Sequence, residues 1–346
     1  MDLEKTTRTE LSELGEFGLI DHLTRDSIPI NTSTIRGIGD DAAVINNVGK
    51  LTLVSMDLLV EGVHFDIMYT PLKHLGYKAV AVNVSDIVAM NGVAKQVLVG
   101  LSVSSKYSVE ALEELYDGIK QACKVYGVDL AGGDTTSSVS GMFLSITVIG
   151  EVDGDDIVYR NTARENDLVC VTGDLGGAYM GLLLLEREKA AFKGDPNLQP
   201  DLSGNDYILS RQLKPEPRVD IVRLFQQIQV KPTAMIDISD GLGSEILHIS
   251  EDSGLGCRLY EEKIPIDSTT VSMAEEFSIN PITAALNGGE DYELLFTIDQ
   301  KDFEKIRLIP GISIIGHMTD KKDGTYLVTT DEQLVEIKAQ GWNALK

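Results

Sequence analysis

Gly37-Ile38-Gly39-Asp40-Asp41-Ala42-Ala43-Val44 is the stretch on which the reading of this chain turns. Two glycines open a tight backbone, two adjacent carboxylates follow, and a short apolar run leads away. Neighbouring ionised carboxylates repel, and they resist burial unless positive charge stands beside them. A hard cation such as Mg²⁺ meets that need, because it takes oxygen ligands and works with phosphates. A solvated Gly-Asp turn is the plainer reading of the same residues. The remainder of the chain must therefore supply the partners.

After this stretch, Leu51–Asp57 reads as a strand ending in Ser55-Met56-Asp57. The chain runs on through Leu58-Leu59-Val60-Glu61-Gly62-Val63-His64-Phe65. Lys73 to Met90 is apolar and small, and it stops at Asn91-Gly92, a helix C-terminus. On that helix Asn83, Asp86 and Met90 share one face, and Val80, Val84 and Ile87 another. Lys95–Ser104 alternates as a strand. Ser108 caps the next helix, whose buried stripe is Leu112, Leu115, Tyr116, Ile119, Cys123 and Tyr126, with Gly127 at its end. Val128–Ala131 is a short strand running into a Gly132-Gly133-Asp134-Thr135-Thr136 turn, and Met142–Val152 is a further strand.

The composition shifts near Asp153-Gly154-Asp155-Asp156, which sets an expected boundary between domains at 1–154 and 155–346. Strand Asp167–Thr172 leads to the turn Gly173-Asp174-Leu175-Gly176-Gly177, then a helix to about Glu188 and a long polar loop over 189–206. Pro215-Glu216-Pro217-Arg218 precedes another helix. Strand Ala234–Ile238 delivers Asp237, Ser239 and Asp240 to a glycine turn. Gly288-Gly289-Glu290-Asp291-Tyr292, strand Glu293–Ile298 and strand Ile312–Gly316 follow. Asn83-Val84-Ser85-Asp86 echoes Asp237-Ile238-Ser239-Asp240, too briefly to mark a repeat.

Composition narrows the function. The 346 residues are 43% hydrophobic and 24% charged, as in a globular protein of two domains or one large one. Acidic residues number 54 against 30 basic ones, a formal charge of -24. That excess excludes non-specific binding to nucleic acid or to anionic membrane. Cys123, Cys170 and Cys257 are scattered, as thiols of a reducing compartment are. Met1 to Glu16 has no apolar segment of a signal peptide, and the run Met180 to Leu185 is too short to span a bilayer. The expected location is cytoplasmic.

Asp40, Asp41, Asp57, Asp86, Asp134, Asp174, Asp237, Asp240, Glu290 and Asp291 fall at strand ends, beside glycine turns or on one helix face. In open α/β proteins, ligands collect where strands hand over to turns. Taken together these acids suit more than one divalent ion. Arg160 and Arg218 follow turns, and of the two Arg160 is the expected phosphate contact. No P-loop, kinase glycine loop or H-E-x-x-H is present, and the five histidines, His22, His64, His74, His248 and His317, are scattered. A zinc site and a Ser-His-Asp triad are thereby disfavoured.

The motifs G-I-G-D-D-A-A-V (37–44), S-M-D-L-L-V-E-G-V-H-F (55–65), N-V-S-D-I-V-A-M-N-G (83–92), L-A-G-G-D-T-T (130–136), P-E-P-R (215–218), D-I-S-D-G-L (237–242) and G-G-E-D-Y-E-L-L-F (288–296) resemble, in order and spacing, thiamine-monophosphate kinase. The chain is also similar to the wider superfamily of aminoimidazole-ribonucleotide synthetase and selenophosphate synthetase. It departs at A-M-N-G, one residue longer than the family's usual A-M-G, and in its terminal G-W-N-A-L-K.

The resemblance implies phosphorylation of thiamine monophosphate by ATP with several Mg²⁺ ions and no general base. It implies an α/β fold of two domains. The mixed sheet of the N-terminal domain would form a barrel across a homodimer interface, and the C-terminal α/β domain would close over the site. By position, Asp40, Asp57, Asp86, Asp134 and Asp237 resemble metal ligands, joined by Ser55, Asp240 and the backbone of Met56. Gly133, Asp134, Tyr116, Arg160 and Ser239, with Asp40, resemble nucleotide contacts, and His64, Glu290 and Trp342 substrate contacts. Another synthetase of the superfamily and a non-catalytic acidic cation binder are the alternatives. A selenophosphate synthetase would carry a reactive Cys in its glycine-rich N-terminal segment, whereas the first cysteine here is Cys123.

Overall fold

The computed structural model describes Thr9, Leu19, residues 22–36 and residues 44–338. Gly37 to Ala43, with Asp40 and Asp41, lie outside the described residues, as does Trp342. The chain divides into two compact units, residues 1–87 with 93–153, and residues 88–92 with 154–346.

In the first unit β1 (Thr34–Arg36) pairs with β2 (Val44–Ile45). Then come β3 (Leu51–Val60), α1 (Leu72–Ala89), β4 (Val93–Val103), α2 (Val109–Tyr126), β5 (Asp129–Ser137) and β6 (Met142–Val152). The sheet order is β3-β6-β4-β5, with only the β4–β5 pair parallel. β6 has the bounds its alternation predicts, and Met142, Leu144, Ile146 and Val148 are fully buried. Helix α2 begins on Ser108, whose side chain accepts from the Ala111 N–H, and ends on left-handed Gly127. Its buried stripe holds Leu112, Leu115, Tyr116, Ile119 and Cys123, as predicted, whereas Tyr126, also expected there, is only part-buried, its hydroxyl donating to that of Tyr77 at 2.7 Å.

Helices α1 and α2 touch backbone to backbone. A Cβ on Gly76 would stand 2.0 Å from the Leu115 carbonyl oxygen, and one on Gly118 1.9 Å from that of Lys73. The expected turn at Gly132–Thr136 is instead part of β5. Glycine fits there because the neighbouring strand leaves no room: a Cβ on Gly133 would lie 2.0 Å from the Val99 oxygen.

The second unit has a sheet of order β13-β12-β9-β11-β7-β10-β8, with only β12–β9 parallel. In chain order it runs β7 (Leu168–Thr172), α3 (Gly177–Gly194), α4 (Asp206–Leu213), α5 (Val219–Ile228), β8 (Ala234–Asp237) and α6 (Leu242–Ser253). It continues β9 (Gly256–Tyr260), α7 (Ser268–Glu276), α8 (Pro281–Asn287), β10 (Leu294–Ile298), α9 (Phe303–Ile306), β11 (Ile312–Thr319), β12 (Thr325–Val328) and β13 (Leu334–Glu336).

One core packs Val169, Val171, Ile246, Ile249, Leu259 and Ile315. A second, formed by α3, α4, α7 and α8, packs Met180, Leu184, Ile208, Met273 and Ala284. The expected loop at 189–206 is shorter, because α3 continues to Gly194 and α4 opens at Asp206. Charged residues with good helix propensity carry α3 onward, and Lys189 pairs with Glu186 at 2.9 Å on its surface. The architecture is thus mixed α/β with two separate sheets. Among the described residues no sheet closes into a barrel.

Candidate functional site

Strand alternation places Leu53, Ser55, Asp57 and Leu59 on one face of β3. Leu53 and Leu59 are buried on that face, while Met56, on the other, is 57% exposed. Asp86 reaches the same face from α1, and the Ser55 hydroxyl donates to its Oδ2. Asp57 stands half-buried, and desolvation raises its carboxyl above the usual range, with His64 as the opposing positive influence. His64 is held in the following turn, where its Nδ1 accepts from the Val60 N–H at 3.0 Å. Ser55, Asp57 and Asp86 are therefore together, with His64 nearby.

Asp134 is not with them. The register Leu58–Ser145–Gly100–Asp134 puts it on the opposite face of the sheet, exposed on edge strand β5 beside Gly133. Tyr116 is buried in the α2 stripe, its hydroxyl hydrogen-bonded to Thr135 and pushed up to about 12 by burial.

In the second unit β8 ends at buried Asp237, and residues 238–241 turn the chain into α6. Asp240 is half-buried and raised, mainly by desolvation. Glu290 lies against this turn: its N–H donates to the Ser239 oxygen at 2.6 Å, and that of Tyr292 to the Ile238 oxygen at 2.9 Å. The contact is close, since a Cβ on Gly289 would lie 2.5 Å from the Ser239 oxygen. Glu290 and Tyr292 both have positive φ, 59° and 50°, a costly backbone for residues other than glycine. Asp237, Ser239, Asp240 and Glu290, separated by some fifty residues of chain, are so brought into one place. Arg160 belongs to this unit too, where its Nε donates to Asp252 at 2.7 Å in an exposed ion pair.

Five supporting side chains, Glu245, Arg211, Glu293, Thr172 and Gln212, escaped the sequence reading. Glu245, in the first turn of α6, accepts the N–H groups of Ser239 and Asp240 at 3.1 and 2.7 Å. Burial pushes its carboxyl up to about 7. Arg211 on α4 pairs with Glu293 at 2.8 Å, and Arg218 pairs with the other Glu293 oxygen at 2.9 Å. Thr172 donates to Glu293 as well, at 2.6 Å. Gln212, beside Arg211, donates to the Glu290 carboxylate at 2.8 Å. Asp291, although in the G-G-E-D-Y motif, is an internal brace: it accepts the Gly176 N–H at 2.8 Å at the start of α3. The only sequence signal for this group was polar residues inside apolar patterns, since their partners lie as many as 121 residues away.

Chemically the two clusters are carboxylate and hydroxyl oxygens, the donors hard divalent cations choose. Carboxylates held part-buried and raised in pKa also suit a cation, which would relieve their desolvation. Among the described residues no three Asp, Glu, His or Cys side chains converge on one point as a self-contained metal site.

Comparison with known proteins extends over nearly the whole chain. Residues 39–152 match the family described as AIR synthase related protein, N-terminal domain. The chain is 36% identical to the thiamine-monophosphate kinase of Bacillus subtilis over 339 residues, covering 96% of this chain and 100% of that one. Against the corresponding protein of Aquifex aeolicus it is 35% identical, covering 90% and 98%. A solved structure described as AaThiL complexed with AMPPCP and TMP superposes with a TM-score of 0.74 at 32% identity, covering 98% and 99%. The hydrogenase maturation protein HypE in complex with ATP shares the fold, with a TM-score of 0.73 at 17% identity over 96% of this chain and 94% of that one.

Proposed function

This chain belongs to the thiamine-monophosphate kinase family, and we propose that it transfers the terminal phosphoryl group of ATP to thiamine monophosphate, giving thiamine diphosphate and ADP, the final step in making the diphosphate. The observation that carries this reading is the meeting of the Asp237–Asp240 turn with the Glu290 loop. It joins two motifs that are distant in sequence, in a chain aligned along the full length of its relative.

The acceptor is a phosphate monoester, largely ionised at pH 7 because its second pKa is near 6. It attacks without losing a proton, so no general base is required of the chain. The difficulty is bringing two anionic groups into line, which is a task of positioning and charge stabilisation. Asp40, Ser55, Asp57, Asp86, Asp134, Asp237, Asp240 and the backbone of Met56 would hold magnesium. When bound, magnesium would neutralise phosphate charge and favour in-line transfer. Gly133, Asp134, Tyr116, Arg160 and Ser239, with Asp40, would contact nucleotide. Of these, Arg160 must exchange Asp252 for phosphate, and Tyr116 is 5% exposed, which leaves it little surface for contact. His64 and Glu290 would orient thiamine phosphate, with Gln212 fixing the Glu290 carboxylate and Trp342 stacking on the cationic ring.

We further propose that residues 1–154 form the nucleotide, magnesium and dimerisation domain and that residues 155–346 form the second α/β domain. The open face of the β3-β6-β4-β5 sheet, bearing exposed Val54, Met56, Leu58 and Phe143, supports pairing with a second copy to complete a barrel. Three buried free thiols are in keeping with a reducing, cytoplasmic setting, and no described helix is long and apolar enough to cross a membrane.

The deciding assay follows thiamine diphosphate by chromatography with ATP and Mg²⁺. Wild type should form it and chelator should stop it. Asp57→Asn or Asp237→Asn should slow it about a hundredfold or more. ATP consumption only with an unrelated acceptor would point to another synthetase of this fold, and cation binding without turnover to the non-catalytic alternative.

A further inference from the structure

We propose that Glu245 is a positioning residue which preorganises the Asp237–Asp240 turn for a divalent cation, an inference that rests on the magnesium reading above. The turn's peptide groups are held on two sides. From α6, the Glu245 Oε1 accepts the N–H groups of Ser239 and Asp240, and the Ser239 hydroxyl lies 3.4 Å away. From the other side, the carbonyls of Ile238 and Ser239 accept from Tyr292 and Glu290.

Gly241 completes the arrangement. It sits at φ 112°, where a Cβ would stand 2.6 Å from the Leu286 oxygen, so the chain can enter α6 only along this path. Consecutive amides aimed at one oxygen and carbonyls aimed at a neighbouring loop tie the backbone of 238–240 from both sides. The Asp240 side chain thus projects from a fixed base, half-buried and with its carboxyl raised.

Glu245 is itself only 2% exposed. A buried carboxylate is an expensive capping group compared with Ser or Asn, which would satisfy one amide at lower cost. What Glu245 adds is reach: from the first turn of α6 one oxygen accepts two successive amides of the preceding turn. Without it, two N–H donors would be left without their acceptor beside Asp237, and the turn would relax before a cation arrived. A site that must be ordered on binding loses affinity by the fraction of time it is disordered.

The test uses the full-length protein and three measurements. Amide hydrogen exchange is followed without metal or nucleotide, Mn²⁺ binding by electron paramagnetic resonance without substrate, and kinase rate against Mg²⁺ concentration. Glu245→Ala should speed exchange at Ser239 and Asp240 at least tenfold while the central amides of α6 keep their protection. It should also weaken Mn²⁺ at least tenfold and raise the Mg²⁺ concentration for half-maximal rate, with kcat at saturating Mg²⁺ changed far less. Glu245→Gln keeps a carbonyl acceptor at the same reach and should bring exchange and Mn²⁺ affinity back to within about threefold of wild type. Unchanged Mn²⁺ affinity in Glu245→Ala, or a Gln variant as impaired as Ala, overturns the proposal. Loss of protection throughout α6 overturns it too, since Glu245 would then be a general structural residue. Absence of thiamine phosphate phosphorylation by wild type would defeat the functional reading while leaving the exchange and Mn²⁺ results to decide the role of Glu245.

Discussion

Glu293 shows how much one side chain can hold. Its carboxylate is 4% exposed and meets two guanidinium groups, Arg211 and Arg218, plus the Thr172 hydroxyl. Truncating it takes away the counter-charge that two part-buried cations share, leaving Arg211 only Asp291 at 3.7 Å and Arg218 only the more exposed Asp220 at 3.0 Å, which costs more than the lost contacts. Glu293→Ala is expected to lower unfolding free energy by about 3–5 kcal/mol, measured by urea denaturation; a loss under 1 kcal/mol would mean solvent already screens the cluster. His317 provides a pH test. Burial, with the charges of Arg258 and Lys263, holds its imidazole below the ordinary value, and Tyr260 stacks on it at 5.9 Å. The unfolded chain takes up a proton near pH 6.5 while the folded chain resists. Stability from this group is therefore complete above that pH and declines as pH falls below it. Wild type should lose more stability than His317→Gln between pH 7.5 and 5.5, and parallel profiles would refute the assignment. At this scale the sequence reading singled out Asp57, Asp86, Asp237, Asp240 and Glu290 at glycine turns, strand ends and one helix face, and added Ser55 from the resemblance; the fold sets Ser55 and Asp57 beside Asp86, and Glu290 beside the Asp237–Asp240 turn. The sequence reading missed Glu245, Arg211 and Gln212, whose meaning lies in partners that only the fold supplies.

At the scale of elements, local physics was legible where a pattern repeats and opaque where tertiary contact decides. Alternation fixed β6 to the residue, and Ser108 and Gly127 fixed both ends of α2. Gly132-Gly133 looked like a turn because glycine usually marks one. It lies instead inside β5, where the close approach of β4 excludes a Cβ. The short β12 and β13 carry too few residues to show a period and were not foreseen. The α1–α2 contact gives a prediction of opposite sign to propensity. Gly118→Ala in an isolated helix would be favourable by about 1 kcal/mol. Here the new methyl would stand 1.9 Å from the Lys73 oxygen, on a facing backbone that cannot rotate aside. Overpacking of that kind typically costs about 1–3 kcal/mol or more. Thermal melts should therefore show Gly118→Ala less stable than wild type; equal or higher stability would mean that the helices separate at little cost.

For the whole molecule, charge and the open sheet face pull in opposite directions. Val54, Met56 and Leu58 on β3 are 65%, 57% and 55% exposed, and Phe143 on the adjoining β6 is 38% exposed. A contiguous apolar patch on a sheet marks an interaction surface. A second copy is the occupant we propose. Yet each copy carries a formal charge of -24, so association brings like charges together. The apolar face favours the dimer at every ionic strength, whereas the repulsion weakens as the Debye length falls from about 30 Å at 0.01 M salt to about 10 Å at 0.1 M. Dimerisation should accordingly strengthen with added salt, the reverse of an interface held by ion pairs. Analytical ultracentrifugation at low and moderate NaCl measures this directly. Wild type should shift toward dimer as salt rises, and Leu58→Glu, which sets a carboxylate in the middle of the patch, should remain monomeric at both. A wild-type chain that is monomeric at micromolar concentration in moderate salt would remove the interface, and a dimer that dissociates on adding salt would place it on a charged surface instead.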